Sequence, residues 1–346
     1  MIPFRPNILL LMVVLITLSC KSTETNSQTS KLPEWVNNPA AGFSETTYLM
    51  AVGSGSTMAE ARTRAMQNLA QIFRSTVEGS QNLYSDVQES TRNNTEFTSQ
   101  ESIRLINNIR IGANEDLMNT EVLQSHVATD GNYYVLAGMD RMESSRVYHQ
   151  EMETNGVKIE NHLNNSDRQI SVVRQLMELK QAVLLAKINE NFSRQLEIIL
   201  PGNTNAEINT QKLLETENRL KATQEKAIVA ISMNSSHPSI KEAVAKVFQS
   251  QGFSIGDAAS ALLTVTINYD AREANLNRDD AKFASWELSI AINEIANGQS
   301  YKTYTTRGRD GALSLSDAYK RAEFSAIKEI DTKFSSFLNT ELTAQN

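Results

Sequence analysis

The sequence has little of several residue types, and each scarcity excludes a class of protein. Cys20 is the only cysteine among 346 residues, which excludes an intramolecular disulfide. With 14 glycines and 6 prolines, the chain is neither collagen-like nor proline-rich. The 33 basic and 40 acidic residues give a net charge of −7, which argues against a generally basic surface for nucleic acid.

The sequence also lacks the spacings that carry catalytic or metal chemistry. None of the histidine pairs has a zinc spacing, and no second cysteine is available as a metal ligand. The stretch from Gly53 to Gly55 has neither the Lys-Ser/Thr ending of a phosphate loop nor the third glycine of a dinucleotide fingerprint. We therefore expect a non-enzymatic protein with no catalytic residue, no cofactor and no metal ion. The four histidines are His126, His149, His162 and His237.

The first residues are typical of an export signal. Arg5 provides a positive charge, and an unbroken apolar run extends from Ile8 to Ile16. That run is shorter than the roughly 20 apolar residues of a membrane span, and its length fits the apolar region of a signal peptide. Ser19, a small residue, precedes Cys20 at the end of this region.

A small residue before a lone cysteine resembles the lipobox of bacterial lipoproteins. The resemblance implies that residues 1–19 are a lipoprotein signal peptide and that Cys20 is the lipid attachment site, carrying palmitate or a similar acyl chain. Thr17 and Leu18 depart from the usual pattern of leucine followed by a small residue. An ordinary secretory signal with an incidental cysteine and an uncleaved anchor remain the alternatives.

Residues 20–31 are predicted to be a polar tether. Residues 21–31 contain no apolar side chain, and a flexible chain of that length reaches about 18 Å. Lys21 differs from the aspartate that favours inner-membrane retention in lipoproteins. The expected location is therefore the outer membrane, with the folded part facing the periplasm or the cell surface.

The folded part is predicted to be α+β, with two small β–α domains with antiparallel-rich sheets joined by a helical middle segment. In the first domain, residues 32–141, a strand from Tyr48 to Gly53 precedes a helix with a capping-box spacing between Thr57 and Glu60. Two strands are expected at residues 117–127 and 133–139, around a turn at residues 129–132. Helix and strand fit residues 80–108 equally well.

The middle segment, residues 142–224, is predicted to be a helical hairpin or linker. Its first part reads as helix with a break near Asn164–Asp167, followed by a polar helix over about residues 205–224. A hairpin with a lid and a longer extended rod both fit this pattern.

The second domain, residues 225–346, has the order β-α-β-β-β-α. Alternating apolar residues predict half-buried strands over residues 263–269 and 286–292. Asn297-Gly298 predicts a two-residue hairpin turn, after which Tyr301, Thr303 and Thr305 form the returning strand. We expect three or four strands with helices packed on one face.

A weak internal similarity links the two ends of the chain. The segment Glu60–Ala65 matches Asp317–Ala322, and both follow a capping Ser or Thr. Duplication and shared packing chemistry explain this equally well. Arg64 and Arg321, at matching positions, are predicted to be solvated or sheet-edge arginines rather than ligand contacts.

Residues 32–145 resemble the Lpp-twenty family of bacterial envelope lipoproteins. The resemblance rests on the strand from Tyr48 to Gly55, on the helix pattern from Glu60 to Ala70, on the run from Gly131 to Arg141, on Trp35 and on Cys20. This region is also similar to the N-terminal domain of flagellar assembly protein T. The resemblance implies a small α+β domain on a lipid tether and implies no catalytic residues.

The sequence therefore predicts an envelope lipoprotein, held in the membrane through Cys20, with an assembly, scaffold or binding role. Its expected partners are envelope proteins, such as flagellar or transport assemblies, or further copies of itself, and not nucleic acid. The exposed strand around residues 301–305 is the candidate edge for such contacts. Two alternatives are a surface-exposed lipoprotein that contacts host or other cells and an envelope enzyme with an unrecognised site.

Overall fold

The fold is α+β, as predicted from the sequence. The computed structural model describes residues 32–74, 117–202, 205–276 and 280–343. The signal peptide, Cys20 and the tether lie outside the described residues, as does the segment 80–108. The described residues form two sheets and a helical middle segment.

The first sheet has three antiparallel strands in the order β1-β3-β2. Short helical turns at Glu34–Asn37 (α1) and Pro39–Ala41 precede it. The predicted turn between β2 and β3 is confirmed, with Gly131 at a φ of 85° and the Asn132 N–H donating to Asp130 at 2.9 Å. The other elements are β1 (Tyr48–Gly55), α2 (Met58–Arg74), β2 (Glu121–Val127) and β3 (Tyr133–Asp140).

Helix α2 lies very close to β1 because small residues meet at the contact. Ala61 and Ala65 are fully buried, and their backbone passes directly over Gly53, which has no side chain to hold it away. The predicted cap is present, since Thr57 accepts the N–H of Glu60 and the Glu60 carboxylate accepts the N–H of Ser56.

The middle segment consists of three long helices packed side by side. This arrangement agrees better with the predicted hairpin than with the extended rod. Short connections make α3 and α4, and α4 and α5, antiparallel neighbours. The break predicted near Asn164–Asp167 is wrong by a few residues. Helix α3 continues to Arg168, and Ser171 then caps α4 by accepting the N–H of Arg174. The three helices are α3 (Arg141–Arg168), α4 (Val172–Ile199) and α5 (Asn205–Lys226).

The second sheet has five strands in the order β5-β4-β6-β7-β8. Strand β4 pairs in parallel with β5 and β6, and the remaining pairs are antiparallel. Helices α6 and α7 pack on one face, as predicted. The elements are β4 (Ile228–Met233), α6 (Pro238–Ser250), β5 (Ser254–Ile255), β6 (Leu263–Glu273), β7 (Lys282–Glu294), β8 (Tyr304–Ala312) and α7 (Leu315–Glu329). A π-helical turn, Ile330–Phe334, leads into α8 (Ser335–Thr343).

Two details of this sheet differ from the prediction. The two-residue strand β5 adds a fifth strand, which is too short to produce a sequence pattern. The hairpin turn at Asn297-Gly298 is present, but its loop has four residues instead of two, because the Glu294 N–H donates to the Gln299 carbonyl at 2.7 Å and Asn293 pairs with Ser300. The Tyr301 N–H still donates to the Ile292 carbonyl at 3.0 Å and its hydroxyl donates to Glu294 at 3.0 Å, but the regular pairing of β8 begins only at Tyr304.

Candidate functional site

Helix α4 belongs to the cores of both sheets, which makes it the central element of the molecule. Val172 and Leu176, near its start, are buried in the core of the second sheet. Ile188 and Leu196, nearer its end, are buried in the core of the first sheet. At 1.5 Å per residue, its 28 residues span about 42 Å. A single continuous helix therefore connects the two α+β units.

The start of α4 is held by a buried carboxylate from the second sheet. Glu294, at the end of β7, is 1% exposed. Its carboxylate accepts the Val172 N–H at 2.7 Å and the Ser171 hydroxyl at 2.8 Å. A negative charge at this position satisfies helix N–H groups that have no partner within the helix and interacts favourably with the helix dipole.

Two further side chains complete the set of donors around Glu294. The Tyr301 hydroxyl donates to the carboxylate at 3.0 Å, and the Asn297 amide donates at 3.2 Å. Burial and the adjacent Glu294 carboxylate raise the pKa of Tyr301 above its ordinary value of 10.0, so the hydroxyl remains a donor at neutral pH. The buried carboxylate thus has four donors, as a buried charge requires.

The end of α4 is held by a cation from the first unit. Arg141, the first residue of α3, donates through Nη1 to the carbonyls of Ile198 at 3.0 Å and Ile199 at 2.7 Å. Its Nε donates to the Glu45 carbonyl at 2.9 Å. A guanidinium at a helix C-terminus satisfies free carbonyls and complements the negative end of the dipole. Each α+β unit therefore provides the charge that fits the end of α4 nearest to it.

We expect Arg141→Met to destabilise the protein by about 2 kcal/mol. Methionine keeps much of the side-chain volume but leaves three carbonyls without a charged donor, and hydrogen bonds to charged groups contribute about 1.5–3 kcal/mol. Urea unfolding of the full chain, followed by circular dichroism, measures the change. Arg146→Met is the control, because Arg146 forms only an exposed ion pair with Glu143. Equal losses from the two variants would contradict the role of Arg141.

The matching arginines of the two units occupy equivalent places, and the sheet-edge prediction is confirmed. Arg64 donates to the Ser54 carbonyl at 3.0 Å, and Arg321 donates to the Gly311 carbonyl at 2.8 Å. In both cases a helix arginine reaches back ten residues to the end of the preceding strand. Both residues are exposed, and their contacts are structural.

A second polar cluster lies on the inner face of the larger sheet. His237 packs edge-on against Tyr269, with ring centroids 4.8 Å apart, and its Nδ1 lies 3.4 Å from the Glu323 carboxylate. The Tyr269 hydroxyl is buried without a hydrogen-bond partner among the described residues. Burial, and to a lesser extent the Glu323 carboxylate, raises the pKa of Tyr269 to about 12. The Tyr269 hydroxyl therefore keeps its proton at neutral pH.

The other charged groups singled out in the sequence lie apart from one another. His162 contacts Glu178 at 2.6 Å, between α3 and α4. This pair belongs to the helical middle segment, whereas the pair of His237 and Glu323 belongs to the second unit. Within the described ranges, no group of three or more His, Cys, Asp or Glu side chains could hold a metal ion. Cys20, the predicted lipid attachment site, lies outside the described residues.

A shallow polar depression of about 300 Å³ lies between the three long helices. Ser166, Gln175 and Thr223 line it, and an ion pair of 2.5 Å between Arg219 and Asp167 closes one side. The guanidinium is therefore already neutralised by a carboxylate.

Among the helices that the structure describes, none is long and apolar enough to cross a membrane.

The solved structures to which this chain is similar include the following three. A secreted protein of Helicobacter pylori is similar with a TM-score of 0.41 and 14% identity, over 83% of this chain and 98% of that one. A minor lipoprotein of Acinetobacter baumannii (TM-score 0.25, 10% identity) covers 34% of this chain and 92% of its own. A candidate lipoprotein of Caulobacter crescentus (TM-score 0.25, 12% identity) covers 34% and 94%. No family model and no curated protein matches the sequence.

Proposed function

We propose that this chain is a lipid-anchored envelope protein that holds two α+β binding units at a fixed spacing and acts by binding rather than by catalysis. The observation that carries this proposal is helix α4, which is buried in both cores and held by a charged residue at each end. Its partners are envelope proteins, including flagellar or transport assemblies, or further copies of itself.

The geometry supports a scaffold role because the helix resists bending between the two units. A flexible connection would let each unit move independently, which is the usual case for domains with small interfaces. Here the second unit reaches α4 through Glu294 and the first through Arg141. One helix of about 42 Å, held at both ends, then lets two partners bind at a defined distance.

The proposed location is the outer membrane, with the anchor at Cys20 after removal of residues 1–19. The apolar run from Ile8 to Ile16 and the small residue before Cys20 support this assignment. A single acyl chain gives only marginal membrane binding, so stable attachment requires two or more chains at this cysteine. The polar tether would hold α1 and the first sheet just above the bilayer.

We expect Cys20→Ser to release the protein from the membrane fraction and to abolish its labelling by an alkyne analogue of palmitate. Serine keeps the size of the side chain but provides no thiol for acylation. The experiment is fractionation and labelling of cells that express the full chain. Cys20→Ser combined with Ser22→Cys is the control: it restores a thiol two residues later, after a lysine, and should remain unlabelled. Unchanged fractionation of Cys20→Ser would contradict the anchor.

Crosslinking in intact cells, followed by mass spectrometry, tests the binding role. We expect crosslinks from both α+β units to the same partner assembly, because the units are held by one helix. Crosslinks confined to one unit would contradict a scaffold that uses both. Turnover of an envelope substrate by the purified full chain would favour the alternative of an enzyme.

A further inference from the structure

Strand β8 is an open edge of the larger sheet. It is the last strand in the order β5-β4-β6-β7-β8, and its nine residues pair only with β7 among the described residues. An unpaired edge of this length is a template for another extended chain unless the protein blocks it. The predicted edge at residues 301–305 is therefore displaced toward the C-terminus, to Tyr304–Ala312.

The register shows which backbone groups of β8 are open. In an antiparallel pair, residues alternate between those that bond the partner strand and those that face away. The Gly311 carbonyl accepts a hydrogen bond from the Arg321 side chain, so it faces away from β7. By alternation, the N–H and C=O groups of Thr305, Arg307 and Arg309 also face away from β7. Three successive open positions are available to an added strand.

The open positions carry positive charge. The side chains of Arg307 and Arg309 are exposed, and neither forms an ion pair with another described residue. The nearest acidic residue in register is Glu287, which lies opposite Arg307 on β7, on the side away from the edge. The one carboxylate on β8, Asp310, points to the inner face, where it accepts the Trp286 indole N–H at 2.8 Å. An added strand would therefore meet two cations spaced two residues apart.

Charge disfavours a second copy of this chain in the two registers that pair most of β8. An antiparallel pair of two β8 strands centred on Arg307 places arginine opposite arginine. A pair centred between Arg307 and Arg309 does the same. Like charges directly opposite each other in a sheet are destabilising, so the charge favours a different, acidic occupant.

Exposed apolar side chains occur in the elements next to this edge. Helix α7 contacts β8 through Arg321 and Ser325. Phe324 of α7 is 70% exposed, and Leu313, directly after β8, is 91% exposed. Because side chains alternate between the faces of a strand, an added strand would direct every second residue toward the face on which α7 packs.

We propose that β8 binds an extended segment of a partner protein in which acidic residues alternate with apolar ones. The acidic side chains would lie beside Arg307 and Arg309 on the open face, and the apolar ones would lie on the opposite face, where α7 packs. The segment would complete the sheet through the backbone groups of Thr305, Arg307 and Arg309. This inference deepens the proposed binding role and rests on it.

The probe is a fluorescein-labelled peptide of sequence TVEVEVT, titrated into the full chain in detergent and followed by fluorescence anisotropy. We expect it to bind at least tenfold more tightly than TVKVKVT. It should also bind at least tenfold more tightly than TVVEEVT, which has the same composition but directs its two acidic residues to opposite faces. Equal binding of TVEVEVT and TVVEEVT would overturn the proposal, because general charge attraction would then explain the affinity.

Two variants separate backbone pairing from charge. Thr305→Pro removes an open N–H without removing a bond to β7, as edge strands tolerate, and should weaken TVEVEVT binding at least tenfold, whereas Thr305→Ala should not. Arg309→Glu should abolish the preference for TVEVEVT over TVKVKVT, because Arg307 and the new glutamate then present opposite charges. Arg272→Glu is the control, because Arg272 lies on the same sheet face two strands away.

The peptide-binding test needs folded variants, and its outcomes are distinguishable from those of the Cys20→Ser membrane-anchoring test. Thermal unfolding by circular dichroism verifies that Thr305→Pro is folded, and the charge-reversed Arg309→Glu provides a second test if it is not. Binding that is unaffected by both variants, or that falls equally with Arg272→Glu, would overturn the proposed edge. Release of Cys20→Ser from the membrane does not depend on β8, so either proposal can fail alone.

Discussion

Glu294→Ala is expected to destabilise the protein by about 4 kcal/mol. Removal of the carboxylate leaves the Val172 N–H, the Ser171 hydroxyl and the Tyr301 hydroxyl without their acceptor, in a place that water does not reach. Each buried donor left without a partner costs about 1–3 kcal/mol, and the losses are not fully additive. The expected total is at the upper end for single substitutions.

The effect should also appear in how the two units unfold. With Glu294 present, the second sheet and α4 are joined by buried hydrogen bonds that cross 122 and 123 residues of sequence. Without it, we expect urea unfolding to separate into two transitions, with the second sheet unfolding first. Hydrogen exchange should show faster opening at the start of α4 than at its end, since Arg141 still holds the latter.

Two further variants test whether the missing carboxylate causes the loss of stability in Glu294→Ala. Glu294→Gln keeps one acceptor oxygen but presents an amide to neighbouring donors, so its loss of stability should be intermediate. Glu287→Ala removes an exposed carboxylate from the same strand and should change the free energy of unfolding by less than about 0.5 kcal/mol. If Glu294→Ala and Glu287→Ala had equal effects, the carboxylate would not hold the helix.

Local patterns were sufficient to predict most of the elements. The β1–α2 unit follows from the apolar strand, the capping spacing of Thr57 and Glu60, and alanines at four-residue intervals. The β2–β3 turn follows from Asp130-Gly131, because glycine adopts the positive φ that the turn requires. These signals depend on residues within a few positions of one another, which is why the sequence alone reveals them.

The parts that sequence could not predict depend on contacts between distant residues. In the sequence, Glu294 is simply the last residue of an alternating strand pattern. Only folding of the chain brings its carboxylate next to the Val172 N–H. The late start of β8 was not predicted either, because the Asn297-Gly298 signal marks the turn but not the irregular stretch between Ser300 and Tyr304 that follows it. Arg141 likewise reads as a solvated residue at a helix start, although it reaches carbonyls 57 and 58 residues away. An inward-facing glutamate close to an Asn-Gly turn was the one signal available for this site.

These long-range contacts also bear on the proposed function. The open edge of β8 and the start of α4 belong to the same sheet, since β7 carries Glu294 and pairs with β8 along its length. A partner strand added to β8 would therefore bind to a unit that is fixed to the rest of the molecule. A weakened Glu294 contact should leave peptide affinity nearly unchanged but should loosen the spacing between the two units.

Gly53→Ala is expected to destabilise the first unit by about 3 kcal/mol or more. A Cβ at this position would lie 2.1 Å from the Ala65 nitrogen and 2.4 Å from the Ala61 carbonyl oxygen. Both atoms belong to the backbone of α2, so relief requires the whole helix to move away from β1. Overpacking of a core costs about 1–3 kcal/mol even when side chains can rearrange, and here they cannot.

Gly138→Ala provides the matched control in the neighbouring strand. A Cβ at Gly138 would meet the Leu123 side chain at 2.2 Å, and a leucine side chain can adopt another rotamer whereas a helix backbone cannot. We therefore expect a loss of about 1 kcal/mol for Gly138→Ala and at least twice that for Gly53→Ala, measured by urea unfolding. Limited proteolysis should cut α2 in the Gly53 variant while α6 and α7 stay protected. Equal losses in the two variants would show that the close approach of α2 to β1 is not what makes Gly53 necessary.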